Sequence, residues 1–149
     1  GTLTLLRNRE AHQQLRENPT LIRTAIEEFL RWESPVQFTD RLVIEDIEIG
    51  GQQVYAGQAV RTILGAANRD PAQFDNPETL DITRRPNRHI AFAHGIHFCL
   101  GAPLARAEGQ LAINTLVQRF PALAATPAPI EWQRNHVFRA LKALPVTLA

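Results

Sequence analysis

The residues best placed for chemistry lie in one short string, Phe92-Ala93-His94-Gly95-Ile96-His97-Phe98-Cys99-Leu100-Gly101. Cys99 sits between glycines and just upstream of a strong helical pattern that begins near Pro103. The positive end of that helix's dipole favours a sulfur anion, the form that ligates metals. Gly95 and Gly101 let the backbone turn sharply and approach a flat ligand closely. Backbone N–H groups of such a loop can donate to the sulfur and tune it. Phe92 offers an aromatic wall, and His97 is near enough in sequence to reach a carboxylate on a ligand's edge. Taken singly, these residues have plainer readings: a lone cysteine is usually a small buried hydrophobe. A zinc site is a third reading, but one cysteine with two nearby histidines lacks the usual fourth ligand and spacing.

Two upstream elements carry charge in suggestive places. Glu28 and Arg31 are three apart and share one side of a helix; as a solvated pair they would contribute only a few tenths of a kcal/mol, roughly. Further on, Ser34-Pro35-Val36-Gln37-Phe38-Thr39-Asp40-Arg41 ends in a guanidinium able to bind a carboxylate through two parallel hydrogen bonds. The plainer reading is an arginine at a strand start, paired locally or with solvent.

The string from Phe92 to Gly101 resembles the F-x-x-G-x-H-x-C-x-G haem signature of the cytochrome P-450 family at every fixed position. Ala93 stands where glycine is more common. In order along the chain, Glu28-Phe29-Leu30-Arg31 resembles the family's E-x-x-R pair, and Asp81-Ile82-Thr83-Arg84 the region that supplies a further arginine to it. Ala66-Ala67-Asn68-Arg69-Asp70-Pro71 and Leu104-Ala105-Arg106-Ala107-Glu108 match two more family segments, and the C-terminal residues match its terminal hairpin, with Ala140 in place of a glycine. The resemblance is to the bacterial soluble type and covers essentially the whole chain, but only the C-terminal third or so of the family.

The resemblance implies haem b (iron protoporphyrin IX) held by Cys99 as axial iron ligand, with Phe92, Gly95 and Gly101 shaping the loop. It further implies Arg41 and His97 on the haem propionates, Val36 and Phe38 facing substrate, and a structural cluster of Glu28, Arg31 and Arg84 bracing the cysteine loop. Arg84 is the expected third member rather than Arg85. The implied function is the haem-binding portion of a haem-thiolate monooxygenase that oxidises a small organic substrate with electrons from a ferredoxin-type donor. The alternative is a non-catalytic haem-binding module or truncated remnant. No residue qualifies as catalytic in its own right, because the family's central oxygen-site helix and N-terminal part have no counterpart in 1–149.

Composition is compatible with this. The chain has 149 residues, 44% of them hydrophobic, enough for one domain with a core. A net charge of +1 argues against a nucleic-acid or anionic-membrane partner held by bulk electrostatics. The single cysteine suits a reducing, cytoplasmic setting. No apolar run approaches bilayer length.

The elements that must position the site follow from periodicity. Residues 2–16 read as one helix, with no proline before Pro19. Asn18-Pro19 caps a second helix whose Leu21, Ile22, Ala25, Ile26, Phe29 and Leu30 form one apolar face, ended at Pro35. Strands are expected at 41–44, 47–49 and 59–64, with a tight turn at Gly50-Gly51. Residues 68–87 read as irregular, 103–120 as a long helix closed by Pro121, and 132–148 as a hairpin broken near Leu144-Pro145. The fold class is α+β, mainly α, with small β-sheets and a cysteine-ligand loop. With no central helix to cover it, the apolar stripe of 19–33 is expected to be partly exposed and to favour self-association.

Overall fold

The computed structural model describes residues 1–148. The N-terminal helical stretch is two helices, α1 (Thr2–Arg7) and α2 (Arg9–Glu17), and not the single one that the periodicity suggests. The cause is Asn8. Its side-chain amide donates to the Thr4 carbonyl at 2.7 Å, while its own carbonyl accepts from His12 N–H. Asparagine thus closes one helix and opens the next, competing with the backbone ladder as short polar side chains do.

At Asn18 the side chain accepts from Thr20 N–H and starts a 3₁₀ turn, Pro19–Leu21, that runs into α3 (Ile22–Trp32). Ala25, Ile26 and Phe29 of α3 are buried with Leu5, Leu15, Ile82 and Val117 in the main core. The partner is α5 (Ala102–Arg119), with proline in its first turn and Pro121 just beyond its end. A side chain at Gly109 of α5 would come within 3.2 Å of Ile26 Cδ1, so glycine there permits the close crossing of the two helices. The centre of the α3 stripe, Ala25, Ile26 and Phe29, is covered by α5 and the 80–82 segment, while Leu21, Ile22 and Leu30 stay partly exposed at its edges. Strongly exposed apolar side chains lie elsewhere, at Leu104 and Leu111 of α5, at Leu42 on β1 and at Ile44 just beyond the strand's end.

Three two-stranded antiparallel sheets complete the chain. β1 (Thr39–Leu42) pairs with β4 (Ala59–Thr62), Arg41 opposite Val60. β2 (Ile47–Ile49) and β3 (Gln52–Val54) form a hairpin in which Gly50 and Gly51 both have positive φ (57° and 78°), the two-residue turn that only glycine enters freely. The third predicted strand ends early, at Thr62. Leu64 is buried and opens a one-turn helix, α4 (Leu64–Ala67).

The C-terminal hairpin is real but differently closed. Trp132 bridges Leu141, whereas β6 (Val146–Thr147) pairs with β5 (Ala124–Ala125). Its tip docks on the segment before β1: Gln37 N–H donates to the Val137 carbonyl and Arg139 N–H to the Pro35 carbonyl, each at 2.8 Å.

Residues 68–87 are irregular, as expected, and buried backbone there needs partners from outside any ladder. Two arginines supply them. Arg31 donates to the carbonyls of Asn68, Pro77 and Thr79, and Arg84 to those of Asp75, Asn76 and Thr79.

Candidate functional site: the cysteine loop and its braces

The loop enters through Ala91, which is buried, and Phe92, which is half-buried. It passes a 3₁₀ turn at Gly95–His97 and reaches Cys99 three residues before α5. Two bonds pin it: Phe98 N–H to the Gly95 carbonyl and Cys99 N–H to the Phe92 carbonyl, both at 3.0 Å. Cys99 is a free, exposed thiol. Flanking it, Ile96 and Leu100 are 97% and 98% exposed and Phe98 is half exposed. An exposed cysteine with exposed apolar neighbours along its loop is what a flat, mostly apolar ligand bonded to the sulfur would cover.

The two loop glycines serve different purposes. Gly95 has φ +73° and needs glycine for that reason. Gly101 has φ −81°, open to any residue, so the expected sharp turn is not its role. Its missing side chain leaves the space beside the sulfur clear: a Cβ there would meet only Cys99 Sγ, at 3.8 Å. Ala93 occupies a left-handed position, φ +61°, where an alanine costs about 1–2 kcal/mol. Ala93→Gly is therefore expected to stabilise the chain by about 0.5–1 kcal/mol, after allowing for glycine's greater freedom when unfolded. A urea midpoint that falls instead would contradict this account of the loop.

Glu28, Arg31 and Arg84 come together. Arg31 Nε and Nη2 each donate to a Glu28 carboxylate oxygen at 2.8 Å, and both side chains are fully buried. Arg84 Nε reaches Glu28 Oε2 at 3.2 Å, and Glu28 also accepts from Asp81 N–H and Asn87 Nδ2. Arg85 makes no such bond. The carboxylate is thus saturated, the condition under which a buried ion pair is tolerable.

Arg41, His97, Val36 and Phe38 are not joined to Cys99 or to one another by any hydrogen bond or ion pair among the described residues. Arg41 is exposed on β1, its Nη1 on the Asp40 carbonyl, because Arg61 takes the Asp40 carboxylate in a two-bond fork at 2.8 and 2.9 Å. His97 is exposed. Val36 bridges Phe138 at the hairpin tip, and Phe38 lies 3.8 Å beneath the Arg61 guanidinium.

Sequence reasoning missed a second group. Arg106 of α5 forks onto Glu27 of α3 at 2.7 and 2.8 Å, and His89 Nε2 lies 2.9 Å from the same carboxylate. Fully buried Asn68 ties Ser34 to the Ile90 N–H through its two side-chain ends, both at 2.8 Å. Both Arg106 and Asn68 fall in family-like segments, but nothing in their spacing pairs Arg106 with a glutamate 79 positions earlier.

Burial by itself would raise the Glu27 carboxyl, but the hydrogen bonds from His89 and Arg106 outweigh it and hold it at about 2, against an ordinary 4.5. The unfolded chain therefore takes up this proton first as pH falls. The stabilisation from the group should be full above about pH 4.5 and lost progressively toward pH 2. Urea midpoints across that range should fall less steeply in Glu27→Gln than in the wild type; parallel curves would refute the assignment.

The family model described as Cytochrome P450 matches residues 3–137. The biotin biosynthesis cytochrome P450 of Bacillus subtilis is 54% identical over 149 residues, covering 99% of this chain and 37% of that protein. The polyketide biosynthesis cytochrome P450 PksS of the same organism is 48% identical, covering 100% of this chain and 38% of that one. A crystal structure of P450BioI in complex with acyl carrier protein ligated to hexadec-9Z-enoic acid superposes with a TM-score of 0.95, at 53% identity over 98% of this chain and 38% of that one. The chain belongs to the cytochrome P450 family, whose members bind haem b through a cysteine thiolate. It spans a little over a third of the curated relatives it matches. Among the described residues no helix is long and apolar enough to cross a membrane.

Proposed function

We propose that residues 1–149 form the C-terminal, haem-binding portion of a haem-thiolate monooxygenase, in which the Cys99 thiolate would hold the haem iron. The observation that carries this is an exposed cysteine, with exposed Ile96, Phe98 and Leu100 beside it in the chain, on a loop pinned by the Phe92–Cys99 backbone bond. When bound, haem supplies oxygen activation, helped by electron density from the thiolate. The chain's own residues bind and orient: Phe92, Gly95 and Gly101 shape the seat, Arg41 and His97 take the propionates, and Val36 and Phe38 border the substrate. Glu28, Arg31 and Arg84 hold the meander behind the loop. Electrons come from a ferredoxin-type donor, and the substrate is a small organic molecule. The P450BioI complex supports an acyl chain on a carrier protein as one class to try.

The test is an absorption spectrum of the purified chain with haem added, reduced under carbon monoxide. A red-shifted, thiolate-type Soret band is expected. A band of the imidazole-ligated type would refute Cys99 as ligand. Residues 1–149 offer no group for delivering protons to bound oxygen, so the 149-residue chain by itself is expected to form no hydroxylated product from substrate, donor and O₂. Product formed by that chain would refute the reading of it as a portion.

A further inference from the structure

The Glu27 group lies outside every role assigned so far, and its connections lead to the cysteine loop from both ends. Glu27 and Glu28 are neighbours on α3, so their side chains leave the helix about 100° apart. Glu28 turns to the 68–87 meander and Glu27 to α5 and the 89–92 segment. Arg106 stands seven residues after Cys99 and His89 ten residues before it, and both end on the one carboxylate.

Each contact has a definite direction. The Arg106 fork leaves its guanidinium carbon 4.7 Å from the centre of the Phe92 ring, within cation–π range. His89 Nδ1 accepts the Ala91 N–H at 3.2 Å, so in the neutral ring the proton is on Nε2, facing Glu27 Oε2. The His89 side chain is only 2% exposed and its ring lies 6.3 Å from that of Phe92. The Phe92 carbonyl in turn accepts the Cys99 N–H. Phe98 meets Phe92 edge-on, with ring centres 6.3 Å apart.

From this geometry we infer that Glu27, His89 and Arg106 are positioning residues: they clamp Phe92 between α3 and α5 and so fix the Cys99 backbone and the direction of its sulfur. An ion pair with sides about a third exposed would ordinarily contribute little. This one is distinguished by the two-bond fork, by a buried third partner, and by the aromatic ring held under the guanidinium. The functional consequence, correct seating of the thiolate, rests on the reading of Cys99 as haem ligand. The clamp itself does not.

The experiment separates the two. Amide hydrogen exchange of the 149-residue chain without haem reads the Cys99 N–H, whose acceptor is the Phe92 carbonyl. Arg106→Ala and Glu27→Gln should each speed exchange at Cys99 and Phe98 by about tenfold, the loss of one charge-assisted contact. The urea midpoint of Glu27→Gln at neutral pH should move far less than that of Arg31→Ala. Arg106→Lys keeps the charge without the fork and should fall between wild type and alanine. Lys142→Ala, which removes an exposed pair with Glu131, should leave the loop's exchange unchanged. Cys99 exchange within twofold of wild type in both Arg106→Ala and Glu27→Gln overturns the clamp, as does an unprotected Cys99 amide in the wild type. With haem added, Arg106→Ala should lower the share of the carbon monoxide complex showing the thiolate-type band. A wild type without that band removes the haem reading and leaves the exchange result to decide the clamp.

Discussion

Arg31→Ala is expected to destabilise the chain by about 3–5 kcal/mol, the cost of removing one partner from a buried ion pair. The guanidinium is fully buried and uses all its N–H groups. Two go to Glu28, and the rest to the carbonyls of Asn68, Pro77 and Thr79. Alanine leaves a buried carboxylate with Arg84 as its sole charged partner and takes the arginine donor from the Asn68 and Pro77 carbonyls, while that of Thr79 keeps Arg84. Arg31→Lys should recover little, because an ammonium cannot reproduce the planar fork and three further bonds. Replacing Glu28 and Arg31 together by apolar residues should not restore stability either, since the Asn68 and Pro77 carbonyls lose their arginine donor all the same. Equilibrium urea unfolding of the three variants checks this. A loss below about 1 kcal/mol in Arg31→Ala, the range of an exposed pair, would show that the cluster is not the brace described.

Cys99→Ala should have the opposite profile. The side chain is exposed and makes no packing contact the core needs, so stability should change by no more than about 0.5 kcal/mol. The spectroscopic effect should be complete. Cys99 is the only cysteine of 149 residues, so no other side chain can supply a thiolate, and the red-shifted band of the reduced carbon monoxide complex should vanish. Any haem still bound through exposed His94 or His97 would give an imidazole-type band instead. A thiolate-type band surviving in Cys99→Ala is impossible for this chain alone, and its appearance would mean that ligation comes from another molecule. The pair of variants separates the fold's brace from its site: one fails by unfolding, the other with its fold intact.

The chain's own order made much of this legible. The glycine, histidine and cysteine spacing of 92–101 is local, because a loop that presents one sulfur must be built from adjacent residues. Helices α3 and α5 are legible too, since apolar periodicity and proline punctuation act over a few turns. The Glu28–Arg31 half of the brace is an i, i+3 relation on one helix, and Arg84 was reachable only through resemblance. What the sequence left undetermined depends on contacts distant along the chain. Asn8 splits the first helix by taking the Thr4 carbonyl, a competition between side chain and ladder that residue type alone does not decide. Leu64 leaves its strand because burial draws it inward. The apolar face of α3 reads as partly exposed, and only the structure shows that α5, eighty positions on, closes over its centre at the width of Gly109. Glu27 looks like an ordinary surface charge until the same crossing brings Arg106 to it, and the return of 89–92 brings His89. The sequence alone determined where a thiolate could be presented and which local elements flank it. Tertiary packing decided what holds that loop still, because ion pairs and helix faces find their partners across space, and spacing carries no record of them.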